Sequence, residues 1–383
     1  MRKVFWEGTH RVRCPHETWD LVSPRLSDYG ITRVADVTGL DRIGLPVFMV
    51  VRPLSKSLTV AQGKGVTEAA AKVSGVMESI EFWHAESACP EPVHSGVAAT
   101  DLRSPYLLEG LPQYPGSLLT SSMPLHWVEA QGMLSGAPVL VPRRCVELND
   151  LADGSWCPPG LYPSSNGLAG GNCRAEAAVH ALYELLERDS VARRHLDSAR
   201  SPGIDAGTVP DPCCAELIRR IRANDVWLEI EHVANRWGVP CFAAHLWSDD
   251  LPVVCSGSGA HLDPAVALSR ALSEAAQTRL TVITGTRDDV DEVVYATGRR
   301  RFAAPPKTSA RVSWSTATAP FTTAFDDIDR ELEWLCGLVR DETGGEPALV
   351  DLSTAADFSV VKVLAEGLAF SLDIPFYPEE AAS

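Results

Sequence analysis

The sequence predicts a mixed α/β (α+β) fold, and three observations support this prediction. Short apolar segments typical of strands alternate with longer segments that have helical periodicity. Glycine-rich segments stand directly before three of the long helical segments. No stretch approaches the roughly 18 consecutive apolar residues of a transmembrane helix, so we expect no membrane span. A chain of 383 residues is long enough for one large domain or two intertwined ones.

The composition limits the function classes. A hydrophobic content of 45% is that of a folded soluble protein, and the net charge is −16. We expect no nucleic-acid partner, because binding a phosphate backbone requires a basic surface. The negative charge is compatible with ATP binding, since Mg²⁺ can bridge phosphates to carboxylates. The charged N-terminus has no signal-peptide core and the ten cysteines form no C-x-x-C pair, so we expect a cytoplasmic protein with reduced thiols.

The N-terminal part predicts two strands and a long helix. The strands are expected at 31–34 and 46–51, separated by a turn with two glycines. The helix is expected over 67–86, with Thr67 as its N-cap. Its apolar positions recur at helical spacing and should face the core; they are Ala70, Val73, Met77 and Ile80.

The middle of the chain predicts irregular segments around one strand and one helix. Residues 97–125 are rich in Pro, Gly and Ser and predict a long loop. Residues 138–142 are apolar and bounded by prolines, which favours an edge strand. A second irregular stretch is expected at 152–166, and a strong helical pattern runs over 175–199.

The C-terminal half predicts alternating strands and helices after a proline-rich connection at 200–213. Strands are expected at 228–233, 240–247, 252–256, 347–352 and 358–364. Helices are expected near 214–224, 263–283 and 326–343, with an irregular segment at 297–320.

The helix over 175–199 carries an acidic stripe. On an ideal helix Glu176, His180, Glu184 and Glu187 fall within about 80° of one another. Carboxylates in one stripe repel each other, whereas a hard cation is bound by such oxygen ligands. Asn172, at the helix entrance, can cap the helix or reach a phosphate or metal. A solvated acidic face is the alternative interpretation.

The helix over 67–86 repeats this arrangement. Ser74, Glu78 and Glu81 lie within about 60° of one another. The preceding segment, Gln62 to Gly65, reads as a glycine loop whose amides can approach an anion, with Lys64 as a phosphate-neutralising cation. The alternative interpretation is that Lys64 is a solvent-exposed lysine in a turn.

A third glycine-rich segment, Gly257-Ser258-Gly259, precedes the helix over 263–283, which also carries polar residues on one face. Arg270, Glu274 and Gln277 lie within about 60° of one another, while Arg279 points elsewhere on an ideal helix. A surface ion pair between Arg270 and Glu274 is the alternative. Neither a phosphate loop of the G-x-x-x-x-G-K-[ST] type nor a complete dinucleotide fingerprint is present.

These motifs together resemble the YcaO family. Its signature is similar to the run from Ser165 to Asn172 that continues through Glu176, Glu184, Glu187 and Arg188. The segment from Gln62 to Glu81 resembles a second family motif, and the segment from Ala271 to Arg279 resembles a third. The resemblance spans roughly residues 30 to 290, in the family's order.

The resemblance implies a YcaO-type fold, with 1–383 as one domain. We divide it into N-terminal strands and loop (1–66), an ATP-binding core (67–290) and a C-terminal α/β part (291–383). YcaO proteins bind ATP and Mg²⁺ and phosphorylate the oxygen of a peptide backbone amide, which a nucleophile then attacks. The implied substrate is a ribosomally made precursor peptide.

The resemblance also implies roles for single residues. The implied catalytic residues are Glu187 and Arg188. The implied magnesium ligands are Glu78, Glu81, Glu176, Glu184 and Glu187. The implied ATP contacts are Lys64, Ser74, Asn172, Arg188, Glu274, Gln277 and Arg279. The chain departs from many members at Phe82, where they have arginine, and at Ala169 and His180, where they have serine and glutamine.

The reaction is predicted less directly. The end of the chain has two spaced prolines instead of the proline-rich tail of many azoline-forming members, and no fused leader-binding domain is evident. Gly8 to Arg11 and Gly30 to Arg33 are similar to stand-alone members, including those that form thioamides with a TfuA-type partner. We therefore expect thioamide formation, with azoline or amidine formation as the alternative. A separate leader-binding protein is an alternative partner, a catalytically weak scaffold is an alternative class, and a homodimer is the commonest assembly.

Overall fold

In this computed structural model the described residues are 1–6, 8–103, 106–149, 160–196, 202–287 and 310–369. The C-terminal tail and the greater parts of the predicted irregular segments at 152–166 and 297–320 lie outside them.

Seven α-helices lie within the described residues, and their starts have local causes. Thr67 Oγ1 accepts a hydrogen bond from the Ala70 amide at 3.2 Å, as the sequence predicts for an N-cap. Aspartates 211, 263 and 327 cap three later helices in the same way. The helices are α1 Pro15–Val22, α2 Glu68–Ser87, α3 Arg174–Leu196, α4 Pro212–Ala223, α5 Pro264–Thr284, α6 Trp314–Thr318 and α7 Ile328–Thr343.

Sixteen strands lie within the same residues. They include strands at all eight predicted segments, together with strands that the sequence did not predict. The strands are β1 Val4–Trp6, β2 Thr9–Arg11, β3 Arg33–Asp36, β4 Val47–Val51, β5 Val60–Lys64, β6 His94–Ala98, β7 Pro124–Gly132, β8 Pro138–Pro142, β9 Leu168–Gly171, β10 Gly203–Ile204, β11 Trp227–His232, β12 Cys241–Ser248, β13 Leu251–Ala260, β14 Arg311–Val312, β15 Ala348–Asp351 and β16 Ser359–Leu364.

The strands form four sheets, and every pair is antiparallel except β10 with β14. β1 and β2 form a hairpin, and β3-β4-β5 form a three-stranded sheet. The larger sheets have the orders β13-β12-β11-β10-β14 and β6-β7-β15-β16-β9, and in the latter β8 pairs with β7 as the predicted edge strand. Separate apolar clusters fill the spaces beneath α2, α5 and α3.

Three strand–helix units, β5–α2, β9–α3 and β13–α5, organise the centre of the molecule. Each helix packs on its own strand and also contacts the strand of another unit. Specifically, α2 contacts β9, α3 contacts β13, and α5 contacts β5, so the three units form a closed cycle. The cycle brings together helices that are far apart in the sequence.

The glycine-rich segments are strands, which corrects the prediction that they are loops. A Cβ atom on Gly63 would lie 1.9 Å from the backbone nitrogen of Gly75 in α2, and one on Gly257 would lie 2.3 Å from that of Ala275 in α5. Gly171 is equally close to α3, with 2.4 Å to the nitrogen of Ala177. These glycines therefore allow each helix to lie directly on its strand.

Candidate active site

The three helices present their polar side chains at equivalent positions of the cycle. Each set contains one residue from α2, one from α3 and one from α5, and its three members lie at the same position counted from the first residue of their helix. The sets are Ser74, His180 and Arg270; Glu78, Glu184 and Glu274; and Glu81, Glu187 and Gln277.

Contacts between neighbouring units repeat in the same way. Glu81 Oε1 accepts a hydrogen bond from the Gly170 amide of β9 at 2.6 Å. The equivalent Glu187 Oε2 accepts one from the Ala260 amide of β13 at 3.1 Å. Each of these carboxylates joins its helix to the edge of the next unit, so the acidic residues also hold the cycle together.

The α2 and α3 carboxylates lie close enough to affect one another. Burial raises the pKa of Glu81 well above its ordinary value, and the charges of Glu78 and Glu184 raise it further. Burial likewise raises the pKa of Glu184, although the charge of Arg188 opposes this. A divalent cation would stabilise the ionised forms of Glu81 and Glu184, which burial disfavours.

Glu187 is the most enclosed carboxylate of this cluster, with 2% of its surface exposed. Its Oε1 accepts a hydrogen bond from Ser258 Oγ at 2.7 Å, in addition to the Ala260 contact. Ser258 belongs to the glycine-rich segment of β13, so this segment supports the acidic stripe of α3.

Glu176 is held by the entrance of its own helix. Its Oε1 accepts from the backbone amide and from Nδ2 of Asn172, at 3.0 and 2.9 Å. Its Oε2 accepts from the Val12 amide at 2.7 Å, and Asn172 Oδ1 accepts from Thr18 Oγ1 at 2.7 Å. In this arrangement Asn172 positions Glu176, and its role toward ATP stays a prediction.

Glu274 joins the basic side chains of the other two units. Its carboxylate lies 3.7 Å from Lys64 Nζ and 4.0 Å from Arg188 Nη2. Burial would raise the pKa of Glu274, but Lys64, Arg188 and Arg270 together lower it. Burial would also disfavour the charge of Arg188, but surrounding carboxylates outweigh burial and raise its pKa; they are Glu274, Glu187, Glu184 and Glu78.

The residues of this cluster fit a magnesium–nucleotide complex. Within the described part of the chain, the buried Nε of Arg188 has no hydrogen-bond partner, so a donor is left for a phosphate oxygen. Among the same residues no three His, Cys, Asp or Glu side chains form a metal-binding group by themselves. Mg²⁺ usually keeps substrate phosphates and water among its ligands, so the phosphates of ATP would complete its coordination beside the carboxylates.

Gln277 and Arg279 differ in their relation to this cluster. Gln277 Nε2 donates to the Gln62 carbonyl at 2.5 Å, which joins α5 to β5. The expectation that Arg279 contacts the nucleotide is corrected, because its guanidinium is buried in another network. It bonds to Asp41 at 2.9 and 3.0 Å and to the side chains of Ser248 and Asp250 at 2.6 and 3.1 Å. Arg279 thus lies on a different side of α5 from Glu274.

A cavity adjoins the cluster at Arg188. It has a volume of about 40 Å³ and is partly open to solvent. Apolar side chains such as Leu185 and Leu368 form much of its wall, and Asn166 and Lys362 add polar groups. Burial lowers the pKa of Lys362 to about 8, and its Nζ donates to the Asn166 carbonyl at 2.8 Å. Arg188 therefore lies between a carboxylate cluster and a partly apolar cavity.

Two basic residues, Arg11 and Arg270, border the site although the sequence does not assign them to it. Arg11 lies 3.7 Å from Glu176, and Arg270 Nη2 donates to His180 Nε2 at 3.2 Å. In the sequence, Arg11 is indicated only by the Gly8 to Arg11 segment, whereas Arg270 belongs to the polar stripe of α5. Ser74 lies on α2 one turn before Glu78 and is half-buried, and its role stays a prediction.

The fold and the site define a class of mixed α/β protein in which three strand–helix units bring carboxylates and cations into one cluster that fits a magnesium–nucleotide complex. A family model described as YcaO cyclodehydratase, ATP- and Mg²⁺-binding, matches residues 62–369. The chain belongs to the YcaO family, as the resemblance predicts, and its cofactors are ATP and Mg²⁺.

Relatives with similar sequences cover most of the chain. A Mycobacterium tuberculosis protein is 38% identical over 375 residues, which are 96% of this chain and 84% of that protein. A Rhizobium leguminosarum bv. trifolii protein described as lying in the tfuA 3′ region is 35% identical over 298 residues, or 74% of this chain and 70% of that protein.

Solved structures confirm the fold. YcaO from Methanopyrus kandleri, bound with AMPPCP and Mg²⁺, has a TM-score of 0.74 and 24% identity, with 96% of this chain and 95% of that chain covered. A heterocyclase in complex with substrate and cofactor has a TM-score of 0.76 and 21% identity, covering 94% of this chain and 53% of that one. Within the described residues, no helix is long and apolar enough to cross a membrane.

Proposed function

We propose that this protein activates a backbone amide of a ribosomally made peptide by ATP-dependent phosphorylation and converts it into a thioamide. The observation that supports amide activation is the cluster in which Arg188 and Lys64 meet Glu274 beside the α2 and α3 carboxylates. Such a group of cations and metal-binding acids suits a phosphoryl group in transfer.

The proposed role of each residue follows from the charge of its side chain. Glu78, Glu81, Glu184 and Glu187 would hold Mg²⁺, which neutralises phosphate charge when bound. Glu176, fixed by Asn172, would orient the metal or its water. Arg188 and Lys64 would bind phosphoryl oxygens, and the cavity beside Arg188 offers apolar walls for a flat nucleotide base.

The proposed reaction consumes ATP and hydrosulfide. The amide oxygen attacks the γ-phosphorus, and ADP leaves. Hydrosulfide then forms a bond to the carbonyl carbon, the C–O bond breaks, and phosphate departs with the amide oxygen and the proton of the sulfur. Thioamide formation is preferred because a relative lies in a tfuA region. A TfuA-like protein is therefore the proposed partner, with a separate leader-binding protein as the alternative.

Azoline or amidine formation is the second candidate, in which a side chain or amine replaces hydrosulfide. The structural likeness to a heterocyclase favours it. Reconstitution with ATP, Mg²⁺, a sulfide source, a candidate peptide and the TfuA-like partner distinguishes the reactions. Thioamide formation gives a mass gain equal to sulfur minus oxygen, and azoline formation gives the loss of one water.

The remaining alternative is a scaffold that binds a peptide without turning over ATP. Calorimetry with Mg²⁺ and AMPPCP, followed by ADP release in the presence of peptide, tests it. Binding with no peptide-dependent ADP release would support the scaffold and contradict the proposal. The single domain of 1–383, the homodimer and the cytoplasmic location stay predictions.

A further inference from the structure

Gln62 joins two of the strand–helix units and lies outside the proposed set of metal and phosphate ligands. It belongs to β5, and only 1% of its surface is exposed. A buried amide side chain that has lost contact with water requires hydrogen-bond partners within the protein. The partners of Gln62 come from α2 and α5, the helices on either side of the strand.

The backbone of Gln62 connects a proposed magnesium ligand to α5. Its amide donates a hydrogen bond to Glu78 Oε2 of α2 at 3.1 Å. Its carbonyl accepts a hydrogen bond from Gln277 Nε2 of α5 at 2.5 Å. The N–H and C=O groups of one strand residue point to the same side of the strand. Both contacts therefore depend on the position of this one residue.

The side chain of Gln62 makes a second connection to α5. Its Oε1 accepts a hydrogen bond from Thr281 Oγ1, and its Nε2 donates to Thr284 Oγ1 at 3.4 Å. Thr281 is itself buried, and its hydroxyl also lies 3.0 Å from the Gln277 carbonyl. The side chain of a strand residue stands roughly perpendicular to the sheet, whereas its N–H and C=O groups lie in the plane of the sheet. The two connections therefore hold Gln62 in different directions.

The link between α5 and β5 consists of neutral groups, unlike the two other links of the cycle. Glu81 and Glu187 accept backbone amides of β9 and β13, whereas the equivalent Gln277 donates to a carbonyl. Amide and hydroxyl groups carry no net charge that an incoming phosphate or Mg²⁺ would attract strongly. This link can therefore persist while the charged groups of the site exchange partners.

Lys64 is a charged group of β5 that has to exchange its partner during the proposed reaction. Its Nζ lies 3.7 Å from Glu274 of α5, and the proposed function gives it a phosphate oxygen instead. The ion pair can therefore hold β5 to α5 only until phosphate binds. Gln62 lies two residues before Lys64, on the same face of the strand, and its contacts with α5 do not depend on that ion pair.

We infer that Gln62 is a positioning residue, which fixes β5 on α5 so that Glu78 stays directed at Mg²⁺ when Lys64 moves from Glu274 to a phosphate. This inference rests on the proposed function, in which Glu78 binds Mg²⁺ and Lys64 binds phosphate. Gln62 acts through these residues and through Thr281, and it touches neither the metal nor the phosphate. Removing a partner that orients a metal ligand typically lowers metal affinity about 10- to 100-fold.

Thr281→Val tests the side-chain connection. Valine has the shape of threonine without its hydroxyl, so Gln62 Oε1 loses this donor while the backbone contacts of β5 remain. Equilibrium dialysis of the full chain with AMPPCP gives the Mg²⁺ concentration at which nucleotide binding is half-maximal. We expect this concentration to rise about tenfold in Thr281→Val and to stay at the wild-type value in Thr281→Ser, which keeps the hydroxyl. An unchanged value in Thr281→Val, or an equal increase in both variants, overturns the inference.

Thr318→Val is the matched control for the loss of a helix hydroxyl. Thr318 Oγ1 donates to the Trp314 carbonyl at 2.9 Å within α6, as Thr281 Oγ1 does to the Gln277 carbonyl within α5. The Mg²⁺ requirement should stay unchanged in Thr318→Val. An increase as large as that in Thr281→Val would attribute the effect to the loss of a hydrogen bond within a helix and would overturn the role of Gln62.

A double variant shows whether Gln62 and Thr281 act through one hydrogen bond. Gln62→Met removes the amide that accepts from Thr281 and keeps an unbranched side chain of similar length. Adding Thr281→Val to Gln62→Met should raise the Mg²⁺ requirement no further, because the shared hydrogen bond is already absent. Effects that multiply would mean that the two side chains act separately, which overturns the inference. A wild-type Mg²⁺ requirement in Glu78→Gln would instead contradict the proposed function, since Glu78 would then not bind the metal.

Discussion

At the scale of single residues, the same carboxylates serve the structure and the chemistry. Glu81 and Glu187 each accept a backbone amide from the neighbouring unit while they face the other acids of the cluster. A single carboxylate at each position would be enough to make this hydrogen bond between the units. The arrangement instead keeps several acids buried together, and the free energy that this costs can be recovered when Mg²⁺ binds.

Glu187→Gln should abolish ATP turnover while leaving the fold largely intact. The amide is the same size as the carboxylate, and its oxygen can still accept the Ala260 or Ser258 hydrogen bond, but the negative charge is lost. We expect ADP release to fall at least about a hundredfold. Glu129→Gln, on β7, is the control, because Glu129 is exposed. Full ATPase and modification activity in Glu187→Gln would refute the site assignment.

Glu81 predicts an effect of pH on stability. Its pKa is raised in the folded protein, so between the unfolded and folded pKa values the folded state binds more protons. Stability from this group therefore falls as pH rises through that window. Without Mg²⁺, Glu81→Gln should stabilise the protein at pH about 7 and lose this advantage near the ordinary carboxyl pKa of about 4.3.

Glu216→Gln provides a control of opposite sign for the pH experiment. Hydrogen bonds from Arg219 and Arg220 lower the pKa of Glu216 to about 2, so its stabilisation exists above the ordinary pKa and is lost as pH falls. Thermal unfolding of both variants between pH about 4 and 8 gives the comparison. Parallel curves for the two variants would contradict the buried carboxylate cluster.

At the scale of elements, each strand–helix unit depends on a glycine contact. Gly63→Ala would place a Cβ atom 1.9 Å from the backbone nitrogen of Gly75, and neither backbone can move without separating β5 from α2. We expect the free energy of unfolding to fall by about 3 kcal/mol or more. Urea denaturation measures this change.

Gly337→Ala is the matched control for the glycine contact. Gly337 lies within α7, and a Cβ atom there would meet nothing within 4 Å. Alanine favours a helix interior by about 1 kcal/mol over glycine, so the variant should be more stable than the wild type. If both variants changed stability equally, close packing would not be the reason for Gly63.

The sequence predicts the helices of the three units correctly, but not the structural role of the glycines in their strands. The helices are recognisable because apolar positions recur every three or four residues and Thr67 caps one of them. The sequence predicts loops at these glycines because it shows that a side chain is missing, but not which backbone approaches in its place. The acidic stripes were found by their angular spacing, whereas Arg11 and the Arg279 network depend on contacts between distant segments.

At the scale of the whole molecule, the site exists only where the three units meet. The side chains that would hold Mg²⁺ and phosphate come from α2, α3, α5 and β5. Ligand binding should therefore stabilise the cycle as one body. The contributing helices are separated along the chain by other strands and connections. A single strand–helix unit would therefore lack most of the proposed ligands.

Mg²⁺ and AMPPCP together should raise the Tm more than either does alone. At a ligand concentration about a hundred times Kd, binding contributes about 2.7 kcal/mol to stability. A chelator should remove the increase. In a Glu78→Gln, Glu81→Gln double variant, the Tm should be the same with and without the ligands. An equal shift in the double variant would place the ligand elsewhere.

The position of Glu274 has a further consequence for selectivity. Its carboxylate already lies at 3.7 Å from Lys64 and 4.0 Å from Arg188, the same cations that a phosphate would bind. Glu274 is thus a built-in competitor for incoming anions. Inorganic phosphate alone has to displace it without other contacts, whereas ATP brings Mg²⁺ and a base. If Lys64 and Arg188 bind the phosphates of ATP as proposed, we expect inorganic phosphate to inhibit ATP turnover only weakly.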